Sequence, residues 1–391
     1  MIKMKKLLAL MLALVLVLAA CGGTTTPADE TTPADDGEEP ADGEEATETG
    51  DVELDAKSLY LITDLGTIDD KSFNQGSFEG LKQYAEEVGV EANYIRPAGE
   101  GDQIYKQAID QAIGEGAKVV VTPGYLFETA VGAAQAEHPE VKFIAVDFEP
   151  NVGTGHAPEY SVADNTIAVL FKEEQSGFLA GYAAVKDGYR KLGFMGGMAV
   201  PAVIRFGHGF VAGANAAAEE LGEKVEVKFN YTGTFEPKPE IQTMASSWYQ
   251  GGTEVIFSCG GGIAASVLKA AQDNGGKMIG VDVDQKDMGQ EVITSAMKGL
   301  KVGVYNAVKD ALAGNGGTTE RFGVEFEGGV QISDDFSRFN SFTQEDYKAI
   351  YDKLVENTNG ITDSIPSAID NLDPSYLQDQ MTSTTIEFIQ Q

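Results

Sequence analysis

Three aspartates stand where apolar runs stop: Asp64 after SLYLIT, Asp147 after VKFIAV and Asp282 after GKMIGV. A carboxylate at such a place can accept hydrogen bonds from hydroxyls and ring N–H groups, or work as an acid, a base or a metal ligand. Near the first of them an aromatic ring, Phe73, sits among acids, glycines and serines in TDLGTIDDKSFNQGSFEGL, Thr63 to Leu81. Asp69 and Asp70 could pair as a metal or acid/base site, but acids just ahead of a helix favour its positive end, and that reading is preferred. His138, His156 and His208 lie far apart and read as surface or loop residues rather than metal ligands. The chain has no G-x-S-x-G, no H-E-x-x-H and no G-x-x-x-x-G-K-[ST]. The GGG of Gly260 to Gly262 follows a strand-like run without completing a dinucleotide fingerprint. No catalytic function, cofactor or metal is expected.

Those residues need elements to position them. From residue 58 onward, short β-like runs alternate with helical patterns. The runs are SLYLITD, EANYI, KVVVTPG, VKFIAVDF, RKLGFMGG, VEVKFNY, TEVIFSCGG, GKMIGVDVD and EVITSAM. Between them, IYKQAIDQAIGEG carries Ile104, Ala108, Ile109, Ala112 and Ile113 on one helical face. Such alternation predicts an α/β fold with parallel sheets covered on both faces. About nine units suit two doubly wound lobes better than one sheet, with a single eight-unit barrel as the alternative. In open parallel sheets, ligands bind beyond the carboxyl ends of the strands. Asp64, Gly124, Asp147, Gly196-Gly197, Gly260 and Asp282 should therefore line a cleft between the lobes. Ser72, with Gln75 three residues on, predicts a capping box. Phe73 then falls in the first helical turn, facing either the cleft or the underside of its own helix. Rings and carboxylates together suit a polar, planar, hydroxylated ligand such as a sugar-bearing heterocycle.

The net charge of −33 over 391 residues argues against nucleic-acid binding and against adsorption on anionic membranes. Residues 1–20, MIKMKKLLALMLALVLVLAA, pair a basic head with an apolar run of about 14 residues, short of the ~20 that span a bilayer. They read as a signal peptide, and Leu18-Ala19-Ala20-Cys21 resembles a bacterial lipobox, so Cys21 is the expected lipidation site. Residues 22–56 include 13 acids and no aromatic residue, the composition of a disordered tether behind a lipid anchor. The remaining cysteine, Cys259, lies in the apolar run EVIFSC and is expected to be a buried, inert thiol.

Several blocks resemble the basic membrane protein family. These are Thr63–Gln75, GFLAGYAA (177–184), GFMGGM (193–198), PAVIRFGHGF (201–210), YTGTF (231–235), IGVDVDQ (279–285) and TSAMK (294–298). The resemblance runs from about Ser58 to Gly314. It implies a lipoprotein of the type I periplasmic binding-protein fold, an extracytoplasmic receptor that passes purine nucleosides (inosine, guanosine or adenosine) to an ABC transporter permease. It implies that Phe73 stacks on one face of the base and a second ring on the other, Phe235 first and Phe206 second. It also implies that Asn74 and Gly260 belong to the binding site. Asp64 and Asp147 match the acids at the base edge, and Asp282 with Lys298 matches the pair on the ribose. Leu65 departs from the polar residue of some members and leaves base preference open. The expected lobes are residues 57–165 with 299–316, and residues 166–298 with 317–391, joined by a hinge; residues 21–56 are the anchor and tether. The alternatives are a receptor for another flat ligand such as riboflavin, a ligand-sensing surface lipoprotein without a transporter, and a nucleoside hydrolase, which lacks its metal-binding acids here.

Overall fold

The first strand, β1 (Leu59–Ile62), is buried along its whole length, as a strand must be when helices cover both faces of its sheet. In the computed structural model, which describes residues 53–154 and 157–390, the chain continues through α1 (Phe73–Val88), β2 (Ala92–Ile95), α2 (Asp102–Gly114), β3 (Val119–Pro123), α3 (Glu128–Glu137), β4 (Lys142–Val146) and β5 (Thr166–Phe171). It then crosses to a second lobe. There it runs through α4 (Glu173–Lys186), β6 (Lys191–Gly196), α5 (Pro201–Leu221), β7 (Val225–Tyr231), α6 (Pro239–Gln250), β8 (Val255–Cys259), α7 (Ile263–Asn274), β9 (Lys277–Asp282) and β10 (Val292–Lys298). A second crossing returns α8 (Leu300–Leu312) and β11 (Thr318–Phe322) to the first lobe. A third leads to β12 (Val330–Ile332), α9 (Gln344–Val355) and β13 (Thr384–Phe388). The expected signal peptide, Cys21, most of the expected tether and His156 lie outside the described residues.

One sheet has the order β11-β5-β4-β3-β1-β2 and the other β12-β10-β9-β8-β6-β7-β13. Every pairing is parallel except that of β10 with β12. This is the expected doubly wound α/β architecture in two lobes. The expected boundaries move, however: β5 and β11, assigned from the sequence to the second lobe, belong to the first sheet. The hydrophobic run TIAVLF of β5 carries no mark of which sheet it joins. The crossings are tied to one another. Lys172 N–H donates to Phe322 C=O (2.8 Å) and Gly299 N–H to Gly329 C=O (2.7 Å), while Val324 N–H donates to Gln175 Oε1 (2.8 Å). Lys172 and Glu325 add an ion pair.

In the second lobe, α4 and α5 meet through matching GF-x-AG segments. A Cβ on Gly177, Gly181, Gly209 or Gly213 would fall inside the facing backbone, so glycines four residues apart let the two helix axes approach closely. His208, read from the sequence as a surface or loop residue, is instead fully buried in α5. Its Nδ1 lies 3.3 Å from the Tyr376 hydroxyl, and burial lowers its pKa to about 4.

Candidate functional site

The carboxyl ends of both sheets open onto one cavity enclosing about 740 Å³, part of it in contact with solvent. That size is in the range of small-molecule sites. All nine residues singled out within the folded part, Asp64, Phe73, Asn74, Asp147, Phe206, Phe235, Gly260, Asp282 and Lys298, line it. Asp147 after β4 and Asp282 at the end of β9 occupy equivalent places in the two lobes. Both hold left-handed backbone, with φ of 70° and 68°. Aspartate tolerates this conformation better than most residues, and such departures concentrate where a side chain must be aimed.

Between these two acids lies Lys298, 5% exposed at the end of β10. Its ammonium hydrogen-bonds Asp147 and stands 3.7 Å from Asp282 Oδ1 and 3.8 Å from Glu173 Oε1. Three rings surround it, with centroids at 4.5 Å (Phe73), 5.6 Å (Phe171) and 5.7 Å (Phe206). Burial pulls the pKa of Lys298 down, but Asp147, Asp282 and Glu173 outweigh it and hold the ammonium above its usual range. Burial lifts Asp147 and Asp282 above the ordinary carboxylate range despite the pull of Lys298. Arg205 reaches Glu173 Oε2 at 3.3 Å from the opposite side. Asp147 Oδ1 has no hydrogen-bond partner among the described residues.

At the other end, Asp64 has no cation beside it among the described residues. Gly66 N–H (2.9 Å) and Asn74 Nδ2 (2.8 Å) donate to its Oδ1. Burial still raises it to about 6, against the pull of those donors. Asn74 Nδ2 also donates to Asp70 Oδ2 at 2.9 Å, and its Oδ1 accepts from Asp64 N–H at 3.1 Å. The amide of Asn74 is thus committed to orienting Asp64. Asp70, not Ser72, caps α1: its carboxylate accepts from the backbone N–H groups of Ser72 (2.8 Å), Asn74 (3.0 Å) and Gln75 (3.1 Å). The expected capping box is corrected accordingly. Asp70 satisfies the orphan donors of the first turn, and the Ser72 hydroxyl is free to bond Asp282 Oδ2 at 2.6 Å.

The rings divide by burial. Phe73 and Phe235 are half-buried and come from opposite lobes. Phe206 is 1% exposed and packs edge-on to Phe257 with centroids 5.9 Å apart, so it forms the cavity floor. Phe235 lies on a glycine bed: a Cβ on Gly197 would overlap its ring, and one on Gly260 would come within 3.2 Å of it. Cys259 is free, buried and on the cavity wall, and burial holds its thiol far above the usual range. Asp70 serves the start of α1, as expected of an acid ahead of a helix, whereas the bond from Ser72 to Asp282 and the part played by Glu173 escaped the sequence reading. Glu173 looks like any acid in the first turn of a helix, and only the fold brings it to Lys298.

Comparison with known proteins gives a consistent picture. A family model described as "ABC transporter substrate-binding protein PnrA-like" matches residues 57–365. The chain is 30% identical over 255 residues to the ABC transporter nucleoside-binding protein BmpA of Lactococcus lactis, covering 62% of this chain and 68% of that protein. It is 28% identical over 315 residues to a CD4+ T-cell-stimulating antigen of Listeria monocytogenes, covering 74% and 84%. Among solved structures, an ABC transporter solute-binding protein from Aeropyrum pernix superposes with a TM-score of 0.63 at 24% identity, over 83% of this chain and 92% of that one. One from Conexibacter woesei gives 0.61 at 20%, over 79% and 99%.

Proposed function

This chain belongs to the family of PnrA-like ABC transporter substrate-binding proteins, and from that premise we propose that it captures purine nucleosides between its lobes and delivers them to an importer permease without chemical change. The observation that carries this reading is the pair of half-buried rings, Phe73 and Phe235, contributed by opposite lobes to a cavity walled by carboxylates. Flat apolar faces suit a purine. Asp64 suits its N–H edge, and Asp282, beside Lys298, suits ribose hydroxyls. A nucleoside-binding relative supports the same ligand class.

Titration calorimetry against inosine, guanosine, adenosine, ribose and riboflavin tests the reading. Nucleosides should bind and ribose should not compete, because each stacked ring contributes about 1–3 kcal/mol to the base alone. Ribose binding as tightly as guanosine, or riboflavin binding alone, would overturn it; free base released from inosine would make the protein an enzyme.

The protein is further proposed to sit on the extracytoplasmic face of the cell membrane, held by a lipid on Cys21. Among the described residues no helix is long and apolar enough to cross a membrane. Cys21→Ser should move the protein from the membrane fraction to the soluble one; retention in the membrane would refute the anchor.

A further inference from the structure

Two side-chain hydrogen bonds join the lobes beside the site without involving Lys298. The Ser72 hydroxyl, on the first lobe, donates to Asp282 Oδ2 of the second at 2.6 Å. Gln285 Nε2 of the second lobe donates to the Lys71 carbonyl of the first at 2.9 Å. Gln285 is preset within its own lobe. It is 2% exposed; its Oε1 accepts from Val281 N–H at 3.1 Å and its own N–H donates to Ser295 Oγ at 2.9 Å. Its amide is therefore fixed before the lobes meet. On the first lobe, Lys71 holds left-handed backbone at φ 54°, an uncommon state for a lysine. That twist presents the Lys71 carbonyl and the Ser72 side chain in the same direction, towards the second lobe. The approach is close enough that a Cβ on Gly76, one turn into α1, would come within 3.0 Å of Val283.

Resting on the nucleoside-binding reading, we propose that Ser72 is a positioning residue which, latched with Gln285, couples lobe closure to the grip on the ligand. The bond from Ser72 exists only when the lobes are together. It takes up Asp282 Oδ2 and leaves Oδ1 towards Lys298, 3.7 Å away. An open protein offers an Asp282 whose carboxylate lacks this partner; a closed one offers an oriented acceptor. Closure thereby completes the site, and part of the affinity resides in the latch rather than in ligand contacts. A hydroxyl-to-carboxylate bond is charge-assisted and among the stronger kinds.

The test uses the full chain with fluorophores on the two lobes. Ser72→Ala should lengthen the mean distance between the lobes in the unliganded protein and weaken guanosine binding about ten- to hundredfold, mainly by faster dissociation. Ser72→Thr, which keeps the hydroxyl, should restore both. In an Asp282→Ala background, which has no acceptor for the hydroxyl, Ser72→Ala should cost much less than in the wild type. An unchanged distance and affinity in Ser72→Ala would overturn the proposal, as would a full loss persisting in the Asp282→Ala background, which would make Ser72 act elsewhere. If the wild type binds no nucleoside, the ligand reading fails, while the distance in unliganded wild type and Ser72→Ala still decides the latch.

Discussion

Lys298→Met lowers unfolding stability by about 3–5 kcal/mol at about pH 7.5, and most of the deficit vanishes at about pH 5. This is the expected result of withdrawing the ammonium from between Asp147, Asp282 and Glu173. Breaking a buried ionic cluster at one partner leaves charge uncompensated and costs about that much. Methionine fills a similar volume, so the loss is electrostatic rather than a cavity effect. The pH dependence follows from sign. A carboxyl whose folded pKa is raised binds more protons folded than unfolded, so its contribution is fully present below the unfolded value and is lost as pH rises through the folded one. The wild type already contains such groups: burial takes Asp64 from 3.8 to about 6 and Glu174 from 4.5 to about 7. Buried His208, lowered from 6.5 to about 4, acts with the opposite sign as pH falls, but it is one group against Asp64, Glu174 and Asp147. Unliganded wild type should accordingly be more stable at about pH 5 than at about pH 7.5, and Lys298→Met more steeply so. Urea unfolding at the two pH values measures both slopes. Equal stability of the two proteins at the higher pH would show that the cluster carries no net charge to compensate.

Phe73→Ala should weaken nucleoside binding about ten- to hundredfold while leaving the unliganded melting temperature nearly unchanged. A phenylalanine in a sealed core would behave otherwise, costing about 3–5 kcal/mol of stability on truncation. Phe73 is only half-buried, on the wall of the cavity, and the nearest atom of its ring is 3.6 Å from where a Cβ of Gly124 would stand. Stacking of a base on such a ring is worth about 1–3 kcal/mol, and alanine cannot supply it. Ligand-induced stabilisation scales with the logarithm of ligand concentration over Kd, so the thermal shift given by inosine should shrink. Melting curves of both proteins with and without inosine decide between the readings. A large drop without ligand, at intact affinity, would make Phe73 a structural residue.

The architecture was legible because its signals are local. All nine β-like runs read from the sequence are strands, and Asp64, Asp147 and Asp282 stand at strand ends because a parallel strand must turn polar where it leaves the sheet. What escaped depends on distant partners. The run Thr166–Phe171 is not among those nine, and only its pairing with β4 and β11 assigns it to the first sheet. The SFNQ block points to Ser72 as a cap, yet Asp70, with two acceptor oxygens, takes that work. Asn74 looks like a ligand donor until its amide proves to be engaged by Asp64 and Asp70. Phe206 and Phe235 are indistinguishable by residue type; one is sealed by Phe257, the other lies open on Gly197 and Gly260.

The last strand has a consequence for anyone shortening the chain. β13 pairs in parallel with β7 from Thr384↔Val225 to Phe388↔Phe229, and it lies beyond the segment matched by the family model. A protein cut at residue 365 would keep every cavity-lining residue yet expose the ladder of β7, whose sequence VEVKFNY alternates apolar and polar side chains. A bare edge of that kind recruits another copy of itself. β13 is itself the edge of that sheet, but with five residues against the seven of β7 it presents the shorter bare ladder, the kind less able to pair with another copy.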